Sequence, residues 1–210
     1  MDSLSYTLVA DGSAERALVP ILDWLLREVF PHLAFTGQFA DTRGLRKPSN
    51  SLADRLSVAL ALYPCDLLFV HRDAENQTPE RRYAEIQEAL ATLSGAPCAV
   101  CIVPIRMTEA WLMFDEAALR YAAGKPHGRR PLDLVPLARV ESHPDPKKHL
   151  HEQLTKASER KGRRREEFEA KLPQTVYRLA SLIEDFSPLR QLVAFQRLED
   201  DLRRLTFEQG

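Results

Sequence analysis

The sequence predicts an α/β fold: a mostly parallel sheet flanked by helices, extended at its C-terminal end by further helices. Three observations point to it. Strand-like and helix-like patterns alternate through residues 1–123, the signature of a parallel sheet built from strand–helix units. The runs at 66–70 and 99–105 are almost wholly apolar, as in strands buried on both faces. Acidic residues follow three of the strand-like runs, at the edge where open parallel sheets bind their ligands.

Each element has a local reason. Residues 6–10 read as a short apolar strand. Residues 14–30 read as a long amphipathic helix, since Leu18, Ile21, Leu22, Leu25 and Leu26 recur at helical spacing, and Ser13 is placed to cap it. A second strand is expected over 35–40, followed by a polar loop over 43–50 carrying Gly44 and Pro48. Helix 52–62 sets Leu52, Leu56, Ala59 and Leu60 on one side. The third strand, 66–70, leads to a helix over 79–93, whose Pro79 suits a first turn. The fourth strand, 99–105, precedes a helix that Thr108 can cap and that runs through Trp111 to Phe114.

The character changes after Ala123. Residues 124–136 are loop-like, with Pro126, Gly128, Pro131 and Pro136. Helices are expected over 146–157, 175–184 and 188–205, with no strand. Leu189, Leu192, Val193, Phe195 and Leu198 are too closely spaced for a disordered segment. The division is an α/β domain over 1–123 and a helical extension over 124–210 packed on it.

Composition narrows the function. Hydrophobic residues make up 44% and charged residues 28% of the 210 positions, ordinary for a globular protein. The net charge of -1 rules out a uniformly basic surface, so any basic patch must be local. The N-terminus lacks the basic and apolar regions of a signal peptide, and no apolar run approaches the roughly 20 residues of a membrane span. Three cysteines, an odd number, do not make a disulfide framework. A reducing cytoplasm is the expected compartment.

The acidic residues carry the functional argument. In Asp11-Gly12-Ser13-Ala14-Glu15 a strand turns into a helix, and Glu15, in the first helical turn, can point back toward Asp11. Helix capping explains the same residues equally well. Asp73 and Glu75 follow an apolar strand, and residues two apart in an extended segment face the same way, so the pair could share a cation. Glu109 follows the fourth strand. Crowded carboxylates repel unless a hard cation neutralises them, and Mg²⁺ prefers oxygen ligands. His71, beside the pair, could move a proton or simply pack.

Other motifs are weaker. Cys98 and Cys101 match C-x-x-C, but within a strand their side chains point to opposite faces, so core packing is the better reading. His143, Asp145, His149 and His151 crowd one segment without a zinc-site spacing. Lys156, Arg160, Lys161, Arg163, Arg164 and Arg165 form the one strong basic run. It reads as a solvated face, or, in a metal-dependent nuclease, as a phosphate contact carried by Arg163, Arg164 and Arg165.

Together these motifs resemble the Toprim fold of topoisomerases, primases and overcoming-lysogenisation-defect nucleases. The nearest resemblance is to a bacterial domain family of unknown function related to the Toprim domain of those nucleases. The residues that carry it are Asp11 to Glu15, Arg72 to Glu75, Glu109-Ala110-Trp111-Leu112 before Asp115, and Asp145-Pro146-Lys147. Asp11 stands where Toprim proteins usually carry Glu, and Glu75 stands in place of a second Asp.

The resemblance implies a Mg²⁺-dependent phosphodiesterase, with Mn²⁺ as a substitute metal, acting as a nuclease in bacterial defence or DNA repair. Asp73, Glu75 and Glu109 would be metal ligands, and Asp11 and Glu15 catalytic residues. The chain has no P-loop pattern, so an ATP-driven step would need a partner ATPase. A catalytically degenerate module that binds a partner protein is the alternative. A phosphatase using Asp73 or Asp11 as nucleophile is a third reading; it needs a phosphate-binding cation, and Arg72 is the obvious neighbour.

Overall fold

In the computed structural model, residues 3–41, 51–75 and 77–207 are described. The loop expected over 43–50 lies outside them. Four strands, β1 (Ser3–Val9), β2 (Ala34–Phe39), β3 (Leu67–His71) and β4 (Cys98–Ile102), form one sheet in the order β2-β1-β3-β4, and every neighbouring pair is parallel. The predicted fold class is therefore the observed one. Each strand lies within one to three residues of its expected bounds.

The apolar strands are buried on both faces, and alternation divides their side chains. Tyr6, Leu8, Leu67, Phe69, Val100 and Ile102 enter one core; Val9, Leu68, Val70, Cys101 and Val103 enter a second on the opposite face. Helices α2 (Leu52–Leu62) and α3 (Pro79–Ala91) cover the second core through Leu56, Ala59, Tyr83 and Ile86. Ser51 and Thr78 cap them by accepting the N–H of Asp54 and Arg81, meeting donors that a helix start leaves open. Helix α1 (Leu18–Val29) covers the first core with Leu18, Ile21, Leu22 and Leu25.

Five more helices complete this layer: α4 (Glu116–Ala122), α6 (Pro146–Ser158), α7 (Arg163–Glu169), α8 (Leu172–Leu182) and α9 (Val193–Arg203), with a single turn, α5 (Leu137–Val140), between the first two. Residues 124–210 contribute no strand among the described residues. They share the first core rather than forming their own. Trp24 of α1 meets Phe186 edge-on at 6.0 Å, and Trp111 meets Phe195 of α9 at 5.4 Å. No helix among the described residues is long and apolar enough to cross a membrane.

Three expectations need correction. The helix predicted over 14–30 begins as a 3-10 turn, Ala14–Ala17, and Ser13 is itself helical and makes no side-chain cap. Thr108 caps nothing, because Thr108–Leu112 is a 3-10 turn and the hydroxyl is drawn to His71. The helix predicted over 188–205 is a 3-10 turn, Ser187–Gln191, followed by α9 after an extended Leu192. Helical spacing of apolar residues cannot separate one helix from two short pieces that bury the same face.

Candidate functional site

The sheet order places the chain's reversal of direction between β1 and β3. From β1 the chain moves outward to β2, then returns to β3 and continues to β4 on the other side. Ligands of open α/β sheets bind outside the strand C-termini at this switch point. Asp11 and Glu15 follow β1, Asp73 follows β3, and Glu109 follows β4.

Asp73 is held firmly. Its Oδ1 accepts the Thr108 N–H at 3.2 Å and lies 3.1 Å from His71 Nε2. The same imidazole nitrogen is 3.0 Å from Thr108 Oγ1. His71 is buried, and its Nδ1 has no partner. The turn after β4 thus clamps the carboxylate that follows β3.

Glu109 is buried in the same neighbourhood, 3.5 Å from Lys147 Nζ of α6. Burial pushes its carboxyl above the ordinary value; Lys147 opposes the shift, and the negative charges of Asp73 and Glu15 add to it. Thr108, the residue before Glu109, holds Asp73, and Glu15 lies near enough to act on Glu109 electrostatically. Glu15 Oε2 is buried without a partner.

Asp11 is engaged differently. Arg55 Nη1 donates to its Oδ1, and Arg72 Nε lies 2.9 Å from its Oδ2. Arg72 also pairs with Glu85 at 2.9 Å, and Arg82 pairs with Glu85 in turn. Two guanidiniums therefore stand at the switch point and neutralise Asp11. Glu75 is exposed, and its backbone lies at φ 50°. The left-handed conformation ends the extended alternation that would have set it beside Asp73.

The donors suit a hard cation. All are carboxylate oxygens, and one of them is buried and orphaned, a costly state without a partner. Among the described residues, however, no three His, Cys, Asp or Glu side chains are placed to share one ion. Sharing one requires Glu15, Asp73 and Glu109 to rotate from the positions they hold here, with Lys147 now supplying the counter-charge.

The remaining motifs resolve simply. Cys98 is exposed and Cys101 buried, three positions apart on β4. Asp145 caps α6 by accepting the Lys148 N–H at 2.9 Å, and His149 Nε2 donates to the Asp133 carbonyl at 2.6 Å. Arg163 is 90% exposed and pairs with Glu167; Arg165 pairs with Glu169, and Arg164 is exposed. Sequence reasoning missed Arg55 and Lys147 as members of the site. Each reaches an acid from a distant segment, Arg55 from 44 residues away and Lys147 from α6, so no local pattern reports them. Comparison of the chain with protein-family models, curated proteins and solved structures finds no match.

Proposed function

We propose that the chain is a Toprim-like, Mg²⁺-dependent phosphodiesterase, a nuclease of bacterial defence or DNA repair that works with a partner ATPase. One observation carries this reading: the acids that follow β1, β3 and β4, and the two guanidiniums that hold Asp11, gather at the switch point of a parallel sheet. Asp73, Glu15 and Glu109 would hold the cation, Mg²⁺ or Mn²⁺. Bound there, the ion would polarise a phosphate and activate water. Arg55 and Arg72 are positioned to take up charge developing on phosphate oxygens.

The test is cleavage of single- and double-stranded DNA and RNA with Mg²⁺ or Mn²⁺. Asp73→Asn keeps an acceptor for the Thr108 N–H but removes the charge. It is expected to lower cleavage by at least about 100-fold, with the thermal midpoint in EDTA unchanged or raised, since a crowded charge has gone. Wild-type protein that cleaves nothing, alone or with its partner, overturns the reading. The neutralised Asp11 favours a second one, a degenerate module that binds a partner protein.

A further inference from the structure

A cleft of about 620 Å³ opens beside the acidic site, between α6, α7 and the loop that carries Arg130. Six cations line it, Arg130, Lys147, Lys148, Lys156, Arg160 and Arg165, against three acids, Asp145, Glu152 and Glu169. The surplus is large for a chain whose net charge is -1. Two of the acids are already committed, Asp145 to the α6 cap and Glu169 to Arg165. Among the described residues, Arg130, Lys148, Lys156 and Arg160 have no carboxylate at ion-pair distance. Like charges crowded in one concavity focus a positive potential that attracts anions.

The arrangement is a stripe. Lys147, His151 and Thr155 form one row along α6 at four-residue spacing, and Lys148, Glu152 and Lys156 form the next. From Lys147 to Lys156 the stripe runs about 14 Å at 1.5 Å per residue. Its first lysine touches Glu109 of the acidic cluster. A compact polyphosphate is usually gripped by converging backbone N–H groups in a glycine-rich loop, and none lines this cleft. Cations strung along a trough match a ligand whose phosphates are also strung out.

We propose that this cleft binds the phosphate backbone of a nucleic-acid strand. Delivery of that strand to the acidic cluster rests on the phosphodiesterase reading above. Lys148, Lys156, Arg130 and Arg160 make the phosphate contacts, and Lys147 stands where cleft and cluster meet. Arg163 and Arg164, which do not line the cleft, contribute little.

The experiment is fluorescence anisotropy of labelled 12-nucleotide DNA and RNA strands, single and duplex, titrated with full-length protein in EDTA. Wild type is expected to bind with strong salt dependence. Lys148→Glu with Lys156→Glu should weaken binding at least tenfold and reduce the salt slope by about 1.4 for a single strand, about 0.7 per contact. Arg163→Glu with Arg164→Glu should leave both unchanged. Adding Arg160→Glu should weaken it further; because Arg160 lies over the Phe168 ring at 5.0 Å, its thermal midpoint is checked first. The proposal is overturned if wild type binds no strand, if the α6 pair binds like wild type, or if the Arg163 pair is the one that fails. Displacement of the strand by ATP or pyrophosphate at lower concentration than by unlabelled strand would also overturn it, in favour of a nucleotide pocket. Binding in EDTA reads the cleft alone and cleavage in Mg²⁺ reads the cluster. A strand bound but never cut removes the phosphodiesterase and leaves the cleft standing, whereas cutting with an indifferent α6 pair does the reverse.

Discussion

A methyl group at position 12 would sit 2.8 Å from Glu15 Oε2. Gly12 does not have a positive φ, and what the glycine provides is room for a carboxylate. Gly12→Ala is therefore expected to push Glu15 aside rather than to strain the backbone. The obstructing atom is the end of a flexible side chain, so stability should change by less than about 0.5 kcal/mol. Mg²⁺ affinity, read by calorimetry, should fall about tenfold, in the range for disturbed ligand positioning. An unchanged affinity would remove Glu15 from the metal-holding set. Thr108 teaches the same lesson: a residue placed to cap a helix instead spends its hydroxyl on His71 and its N–H on Asp73.

At the level of elements, strand pairing depends on a second glycine. Gly37 of β2 stands opposite Tyr6 of β1, and a Cβ there would come within 2.3 Å of the tyrosine hydroxyl. The Tyr6 ring cannot yield easily. Its hydroxyl donates to Asp23 of α1 at 2.7 Å, and its ring and that of Phe69 pack edge to face at 5.4 Å. Gly37→Ala is expected to destabilise by about 1–3 kcal/mol through overpacking, measured by urea unfolding. A loss below about 0.5 kcal/mol would mean that Tyr6 moves freely and does not tie β1 to α1. The residue pattern marked this strand only faintly, because Ala34–Phe39 is mostly half-buried and polar in part; its partner β1 is what makes it a strand.

At the scale of the whole molecule, Arg190 fastens the C-terminal helices to the α/β layer. It donates from Nε to both oxygens of Glu199 at 3.1 and 3.0 Å and from Nη2 to Glu28 of α1 at 3.3 Å. Arg203 adds a bond to Glu199 at 2.7 Å. Burial alone would raise the Glu199 carboxyl, but the hydrogen bonds and charges of the two arginines prevail and hold it below the usual value. A carboxylate whose folded pKa is depressed stabilises the protein above its unfolded value, and loses that contribution as pH falls through the folded one. Glu199→Gln is therefore expected to cost about 2 kcal/mol at pH 7, as for hydrogen bonds to charged groups, with the gap to wild type closing as acid protonates the wild-type carboxyl. A gap that stays constant down to pH 3 would show that the charge contributes nothing.

Period and composition were sufficient for the α/β class, the parallel sheet, the helical C-terminal half and the acids at strand ends. These are local properties: the apolar spacing of β3 or α1 reports burial whatever the neighbours are. The strand order was not legible, nor was which carboxylates meet. Asp11 and Glu15 looked alike in sequence, yet one is neutralised by Arg55 and Arg72 and the other keeps one carboxylate oxygen, Oε2, buried without a partner. The basic residues looked strongest where they cluster in the chain, at 163–165, yet i to i+4 glutamates pair with Arg163 and Arg165 there, while α6 gathers scattered lysines into a cleft. Electrostatic roles are set by distances of a few ångströms between segments far apart in sequence, and such distances exist only once the sheet and its helices have packed.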